Sequence, residues 1–300
     1  GSDTITLTDA ATVIDADFTN VTSVETLTAD ADNTQDITLG ALADAAGIRT
    51  VNAADAVGND EINVGAGFTS ALTVNMAADN LANTVSTDVL ASAYTGALTI
   101  NAAITTTDDH AATLTGGTGT ADKLNLLIDE SDDAVLTGVS GIESIVLADG
   151  NADADHTTAV TLADVNATYT SATDYQTLTV DATAIGASGD TVNISAAAEL
   201  DAKVVLKGGD GANNITLSAS ANFGDTVTAA GGDDTITTAT DNLTSADIID
   251  GGDGDDTIVT SDDATVVDAD FTNVTNVEAI SGTATFDLDL TLGALADAAG

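Results

Sequence analysis

The sequence predicts an all-β chain, a parallel β-solenoid of about 22 residues per coil arranged as tandem modules. Three observations predict it: a long internal repeat, short β-prone segments fenced by turn residues, and a turn position that returns at a near-constant step. The competing reading of the same short strands is a string of tandem β-sandwiches, which also uses Gly- and Asn-rich turns. The period favours the solenoid.

Residues 3–47 align on 256–300 without a gap at an offset of 253, with 29 identities in 45 positions. DADFTNVTSVE at 15–25 returns as DADFTNVTNVE at 268–278, and TLGALADAAG at 38–47 returns at 291–300. A weaker repeat lies inside the module: VTSVETL (21–27), VSGIESI (139–145) and VTNVEAI (274–280) share one pattern. Each follows an Asp-x-(Ile/Leu) step, at Asp3, Asp122 and Asp256. The chain therefore reads as a first half-module at 1–121, a second at 122–255, and the start of the next copy at 256–300. Glu25, Glu143 and Glu278 hold one place in this repeat. An active site needs no copy per half-module, so their recurrence predicts a structural role, capping a turn or pairing between coils. The chain opens Gly-Ser-Asp, with no Met, charged n-region or apolar h-region. The expectation is a piece of a longer array, with no N-terminal signal peptide in this fragment.

Strands are expected at TVN (50–52), LTVN (72–75), LTIN (98–101), TLTV (177–180) and KVVL (203–206), each bounded by Gly, Asn or Asp. GALADAAG (40–47) is the best candidate for a short helix. Asp190, Asn213, Asp234 and Asp256 stand before a Thr/Asn-hydrophobic pair at steps of 23, 21 and 22, and Asp60 and Asn83 are also 23 apart. Two short strands per step suit one solenoid coil. With coils ~4.8 Å apart, a module of about eleven coils would rise roughly 50–55 Å. The absence of Pro agrees, since every interior strand must keep its N–H donors.

Charge narrows the function. The chain carries 49 acidic against 4 basic side chains, a net charge of −45, and the acid is 43 Asp to 6 Glu. Four Lys/Arg cannot make a nucleic-acid footprint. No apolar run reaches the length of a membrane span, so membrane insertion is not expected. With no Cys, zinc–thiolate sites, disulfides and thiol catalysis are excluded. Forty-three per cent apolar residues and a mean hydropathy of +0.19 are too high for a disordered acidic coil. A folded chain with this much mutual repulsion is expected to draw cations from outside.

One motif shows where. Gly251-Gly252-Asp253-Gly254-Asp255-Asp256-Thr257-Ile258-Val259 completes the pattern G-G-x-G-x-D-x-U-x, with U a large aliphatic. Gly208-Gly209-Asp210-Gly211-Ala212-Asn213-Asn214-Ile215-Thr216 has Asn in the acidic slot, and Gly231-Gly232-Asp233-Asp234-Thr235-Ile236 is two residues short. Gly116 to Leu124 carries one extra residue before its Asp. Fragments recur at Gly1–Ile5, Gly58–Ile62, Gly189–Val192 and Gly224–Val227. Glycines let carbonyls converge in a tight turn, and the Asp adds a hard anionic oxygen. Such an oxygen cage suits Ca²⁺. Stacked turns could share an ion, which would offset the carboxylate repulsion. The candidate ligands are Asp190, Gly208, Asp210, Asn213, Gly231, Asp233, Asp234, Gly251, Asp253, Asp255 and Asp256.

The segments at 208–216, 231–236 and 251–259 resemble the nonapeptide repeats of RTX (haemolysin-type calcium-binding) proteins. The surrounding Asp/Thr/Ala/Val-rich sequence is similar to bacterial S-layer proteins and giant tandem-repeat adhesins. The resemblance implies Ca²⁺ sites, type I-like secretion and folding outside the cell, at the cell surface. It covers about a tenth of the chain by motif and departs from a full β-roll, since no two nonapeptides are consecutive.

Other residues carry less. His110 and His156 lie far apart in Asp-rich loops. Arg49, Lys123, Lys203 and Lys207 are too dispersed for a phosphate site. Six Asn-x-Ser/Thr sequons, from Asn20 to Asn273, are what a Thr-rich chain gives by chance. No catalytic constellation stands out, so the expectation is a non-enzymatic structural module. Its partners would be calcium ions, neighbouring copies of the same repeat and a cell-surface glycan. Two other classes compete. An ice-binding adhesin region is suggested by Thr4-Ile5-Thr6 and Thr26-Leu27-Thr28, although these pieces are not expected to share one register through successive coils. A polysaccharide-processing β-solenoid enzyme would need more basic residues than this chain has.

Overall fold

Alternation of aliphatic with Thr, Asn or Lys side chains sets the strands. Leu98–Ile104 alternates between buried and half-buried side chains along its whole length, and Lys203–Lys207 does the same. The expected segments at 50–52, 72–75, 98–101, 177–180 and 203–206 all lie in strands, and 40–47 forms the short helix Ala41–Ala46. The computed structural model describes residues 1–29, 33–53, 60–78, 87–104, 112–128, 133–149, 157–167, 169–171, 174–220, 223–238, 242–261, 264–283 and 288–300. Gly58, Asn59, Asn83, His110 and His156 lie outside these. The chain is an all-β, parallel β-solenoid of about 10 turns with roughly 24 residues per turn. It divides into two units, Gly1–Asp129 with Thr137–Val146, and Glu130–Leu136 with Leu147–Gly300.

In the first unit one parallel sheet contains, in order, Thr4–Thr6, Thr26–Thr28, Thr50–Ala53, Leu72–Ala78, Leu98–Ile104 and Lys123–Ile128. A second contains Ala11–Val13, Gln35–Leu39, Asp60–Val64, Thr87–Leu90, Leu114–Thr115 and Val139–Ser140. Each coil gives one strand to each sheet. Register then stacks like on like: Ile5, Leu27, Val51, Val74, Ile100 and Leu124 form one column. Ile37, Ile62, Val89, Leu114 and Val139 form another. Full burial of each such side chain contributes about 1.5–3 kcal/mol, and a one-residue slip would turn the column outward.

In the second unit one sheet holds Thr177–Asp181, Lys203–Lys207, Thr226–Thr228, Ile248–Asp250 and Val274–Thr275. The other runs from Asp133–Val135 through Thr157–Thr161, Thr191–Ser195, Asn214–Thr216, Thr235–Thr238 and Thr257–Thr260 to Ala279–Gly282. Its core column is Val160, Ile194, Ile215, Ile236, Ile258 and Ile280.

Two expectations need correction. The step of about 22 residues holds between Asn193, Asn214, Thr235, Thr257 and Ala279, where the motif turns lie. It widens elsewhere: Thr73 pairs with Thr99, Asp60 with Thr87, and Thr157 with Thr191. The last coil is long because it carries the 3-10 helix Asp164–Asn166 and a small hairpin, Tyr169–Ser171 with Asp174–Tyr175. Strand register is fixed by packing, whereas turn length is free, so the period drifts with the turns. The second correction concerns the Thr rows. Thr4, Thr26, Thr50, Thr73 and Thr99 do share one register. The row two residues on changes from Thr6 and Thr28 to Asn52, Asn75, Asn101 and Asn125. Those amides bond one another, Nδ2 to Oδ1, at 2.8, 2.7 and 2.7 Å.

The repeated segment folds alike in both places. Asp15 Oδ1 accepts the N–H groups of Gly40 and Ala43 at the start of helix Ala41–Ala46. Asp268 Oδ1 accepts those of Leu295 and Ala296 at the start of Ala294–Ala299. Orphan donors of a short helix are thereby satisfied from the preceding coil.

Candidate metal centre

The repeated glutamates show how the fold uses acid. Glu25, Glu143 and Glu278 each accept, through Oε2, the N–H of the Asp one coil earlier: Asp3 at 2.8 Å, Asp122 at 2.8 Å and Asp256 at 2.7 Å. In return each Asp carbonyl accepts the N–H of that Glu and of the residue after it. The expected pairing between coils is what these side chains do. A carboxylate here stands in for the carbonyl that a regular strand would supply, and the bond is charge-assisted.

The motif turns extend the same device inward. Asp190, Asn213, Asp234 and Asp256 form a buried column, none more than 1% exposed. Asp256 Oδ1 accepts the N–H of Asp234 at 2.8 Å, and Asp234 Oδ1 accepts that of Asn213 at 2.6 Å. The second oxygens of Asp234 and Asp256 are buried without a hydrogen-bond partner. Burial, together with the charges of Asp256 and Asp233, pushes the Asp234 carboxyl up to about 7. Burial and then Glu278, Asp233 and Asp255 push Asp256 in the same direction. The glycines are there for space: a Cβ on Gly251 would collide with the Asn276 carbonyl oxygen and with Asp256 Oδ2, and Gly252 sits at φ 105°.

Asn213 shows what such a turn encloses. Its Nδ2 lies 3.0, 2.6 and 2.9 Å from the carbonyl oxygens of Gly209, Gly211 and Ala229, and 2.9 Å from Asp234 Oδ1. Three carbonyls and a carboxylate thus surround one amide nitrogen. At this turn the Asn side chain itself supplies the positive pole of the cage.

The remaining predicted ligands separate from this column. Asp210, Asp233, Asp253 and Asp255 are exposed on the turns, and Asp233 Oδ1 accepts the N–H of Asp255 at 3.0 Å. A Cβ on Gly208 would collide with the Ala229 carbonyl oxygen and the Asn213 amide, whereas one on Gly231 would make ordinary contact, 3.4 Å from the Asp210 carbonyl oxygen. Asp225, met in sequence as a fragment of the motif, belongs to a different row. It accepts the N–H of Ser218 at 2.8 Å and donates its own N–H to Asp247 Oδ1 at 2.8 Å. Burial and the Asp247 charge push Asp225 up to about 6.

Among the described residues, the acidic side chains that could hold a metal ion together are Asp164, Glu199 and Asp201. One carboxylate oxygen of each lies within 4.8 Å of the others. Two oxygens on an ion at ~2.4 Å are separated by at most about 4.8 Å. Asp164 opens the 3-10 helix, and Glu199 and Asp201 sit in the turn between Thr191–Ser195 and Lys203–Lys207. The turn is tied in place: Glu199 Oε1 accepts the N–H groups of Asp201 and Ala202 at 3.1 Å each, and Asp164 Oδ1 accepts that of Leu200 at 3.1 Å. Sequence reasoning missed this group because Asp164 stands 35 residues before Glu199 and no motif joins them. The one signal was Glu199 itself, one of 6 Glu, set in the apolar run Ser195-Ala-Ala-Ala-Glu-Leu200. Comparison with protein-family models, with curated proteins and with solved structures gave no match.

Proposed function

We propose that this chain is a structural, calcium-binding repeat module of an extracellular bacterial surface protein of the S-layer, filament or adhesin kind, related in style to RTX proteins. One observation supports this reading most: the repeated pair of coils carries an apolar face that the copy at 3–47 buries under the next coil. In residues 3–47 that face is covered by 48–53 and 60–72, with Gln35–Leu39 pairing with Asp60–Val64 and Thr26–Thr28 with Thr50–Ala53. In residues 256–300 the same face surrounds an open hollow of about 380 Å³ lined by Phe271, Val277, Ile280, Leu292 and Ala296. Residues 256–300 repeat 3–47, so the face they carry is the one that a following coil covers in the other copy. The coil with the right sequence is one like 48–72, supplied by another copy of the repeat. Self-assembly or extension through this face is the module's task, and a surface glycan is a further partner of the array. Ca²⁺ balances the buried carboxylates of the stacked turns, and no catalytic role is assigned. The Thr row leaves this reading unchanged, since from Asn52 onward its companion amides bond one another.

The test is a longer chain, residues 1–300 continued by 48–300, compared with residues 1–300 by melting and solution scattering. A continuous array raises the melting temperature, lengthens the particle at constant cross-section, and loses stability in chelator. A scattering profile of two separate globules would sink the array. Melts that superimpose with and without chelator would sink the calcium part.

A further inference from the structure

Glu199 is fully buried, and its Oε2 has no hydrogen-bond partner; neither has the buried Oδ1 of Asp201. Both belong to the group whose third member, Asp164, is exposed and reaches it from the preceding coil. Leaving two buried acceptors unmet is costly, each by about 1–3 kcal/mol and more when charged. The charged groups that act most on Glu199 are Asp164 and Asp201, which add to the effect of burial in raising its carboxyl. The N–H groups of Leu200, Asp201 and Ala202 go to Asp164 Oδ1 and Glu199 Oε1, not to the two orphaned oxygens. Lys207, on the strand that follows, is committed to Asp181 at 2.8 Å. A small hard cation would meet both orphaned oxygens and all three charges at once.

We propose that Asp164, Glu199 and Asp201 form a Ca²⁺ site, separate from the Gly-rich turns, that fastens the long coil at 162–190 to the coil after it. The ligand set is all oxygen, which selects against zinc and copper. Its open side at Asp164 admits the additional ligands that a six- to eight-coordinate ion takes from water, and no octahedral frame is imposed, which favours Ca²⁺ over Mg²⁺. Asp164 hangs on a 3-10 helix that follows strand Thr157–Thr161, while the other two follow the paired strand Thr191–Ser195. An ion here therefore links two successive crossings between the same pair of sheets, at the coil whose step is the longest.

The experiment uses the whole chain stripped with chelator and titrated with CaCl₂ by calorimetry. It is run on the parent, on Glu199→Gln with Asp201→Asn, and on Asp234→Asn with Asp256→Asn. The parent is expected to show a site with a dissociation constant on the order of 0.1–1 mM, the range of extracellular calcium modules. The Glu199/Asp201 variant should lose that site, at least tenfold in affinity, while the Asp234/Asp256 variant keeps it. At ~100 times the dissociation constant, Ca²⁺ should raise the parent's melting temperature by about 5–10 °C. Far-UV circular dichroism confirms that each variant folds, and Glu199→Gln alone serves where the pair does not. A calcium isotherm unchanged by Glu199→Gln would overturn the proposal, because a merely protonated Glu199 tolerates that change. Equal stabilisation by MgCl₂ would overturn the calcium assignment. A signal lost only in the Asp234/Asp256 variant would overturn this site yet leave the turn reading standing.

Discussion

Residues 3–47 and 256–300 are the same pair of coils written twice, and they differ in what lies on top of them. Leu39 is wholly buried, whereas its counterpart Leu292 is 52% exposed. Phe18 and Phe271 are both buried, each in a 3-10 turn that lies against the short helix of the next coil in its own copy. The pair of coils therefore secures its aromatic anchor and its helix cap by itself, while its aliphatic strand residues depend on a neighbour. Solenoid stability is divided in this way between repeat and interface.

The largest test of this division is truncation at the matched leucines. Leu39→Ala should cost about 2–5 kcal/mol in denaturant unfolding, and Leu292→Ala no more than about 0.5 kcal/mol. Equal costs would mean that the upper face is covered in solution. A smaller difference is expected at Asp44 and Asp297. Asp44 Oδ2 accepts the N–H and hydroxyl of Thr69 at 3.0 and 2.9 Å, and the carboxylate pairs with Arg49 at 2.9 Å. Burial alone would raise its carboxyl, but bonds from Ser70 and Thr69 with the Arg49 charge hold it down to about 2. Asp297 is exposed. Asp44→Ala should therefore cost about 1–2 kcal/mol and Asp297→Ala close to nothing, read from the same unfolding curves.

The smallest effect separates two kinds of buried carboxylate by pH. Asp44, with its lowered value, contributes stability above about pH 4 that is lost as pH falls toward 2. Asp234 has the opposite sign. Its raised value means that its contribution is complete below about pH 4 and is lost as pH rises through about 7. In chelator the melting temperature should thus climb between pH 7.5 and 5, and Asp234→Asn should flatten part of that slope. A parent and variant with parallel pH profiles would remove Asp234 from the account.

Much of the fold was legible because strand alternation, turn residues and the offset of 253 are local or repeated properties. Recurrence alone marked Glu25, Glu143 and Glu278 as structural, capping a turn or pairing between coils, and the stacked backbone selects the pairing. The long coil was not, since nothing in residues 162–190 announces a 3-10 helix and hairpin rather than another short turn. The candidate metal group was illegible for a related reason: Asp164 meets Glu199 and Asp201 through the stacking of coils, and an irregular step hides that register. In the sequence Asn213 is a candidate ligand standing in an acidic slot, yet the tertiary cage sets its amide nitrogen amid three carbonyls and a carboxylate.

The sequence by itself determined the class of architecture, the tandem character and the Asp-rich turns, because short-range periodicity and composition carry them. Only the tertiary structure decided which acids face inward, which oxygens lack a partner, and which aliphatic side chains one coil buries under the next. Those depend on how one coil lies on the next, and that stacking is set by packing across residues a full turn apart.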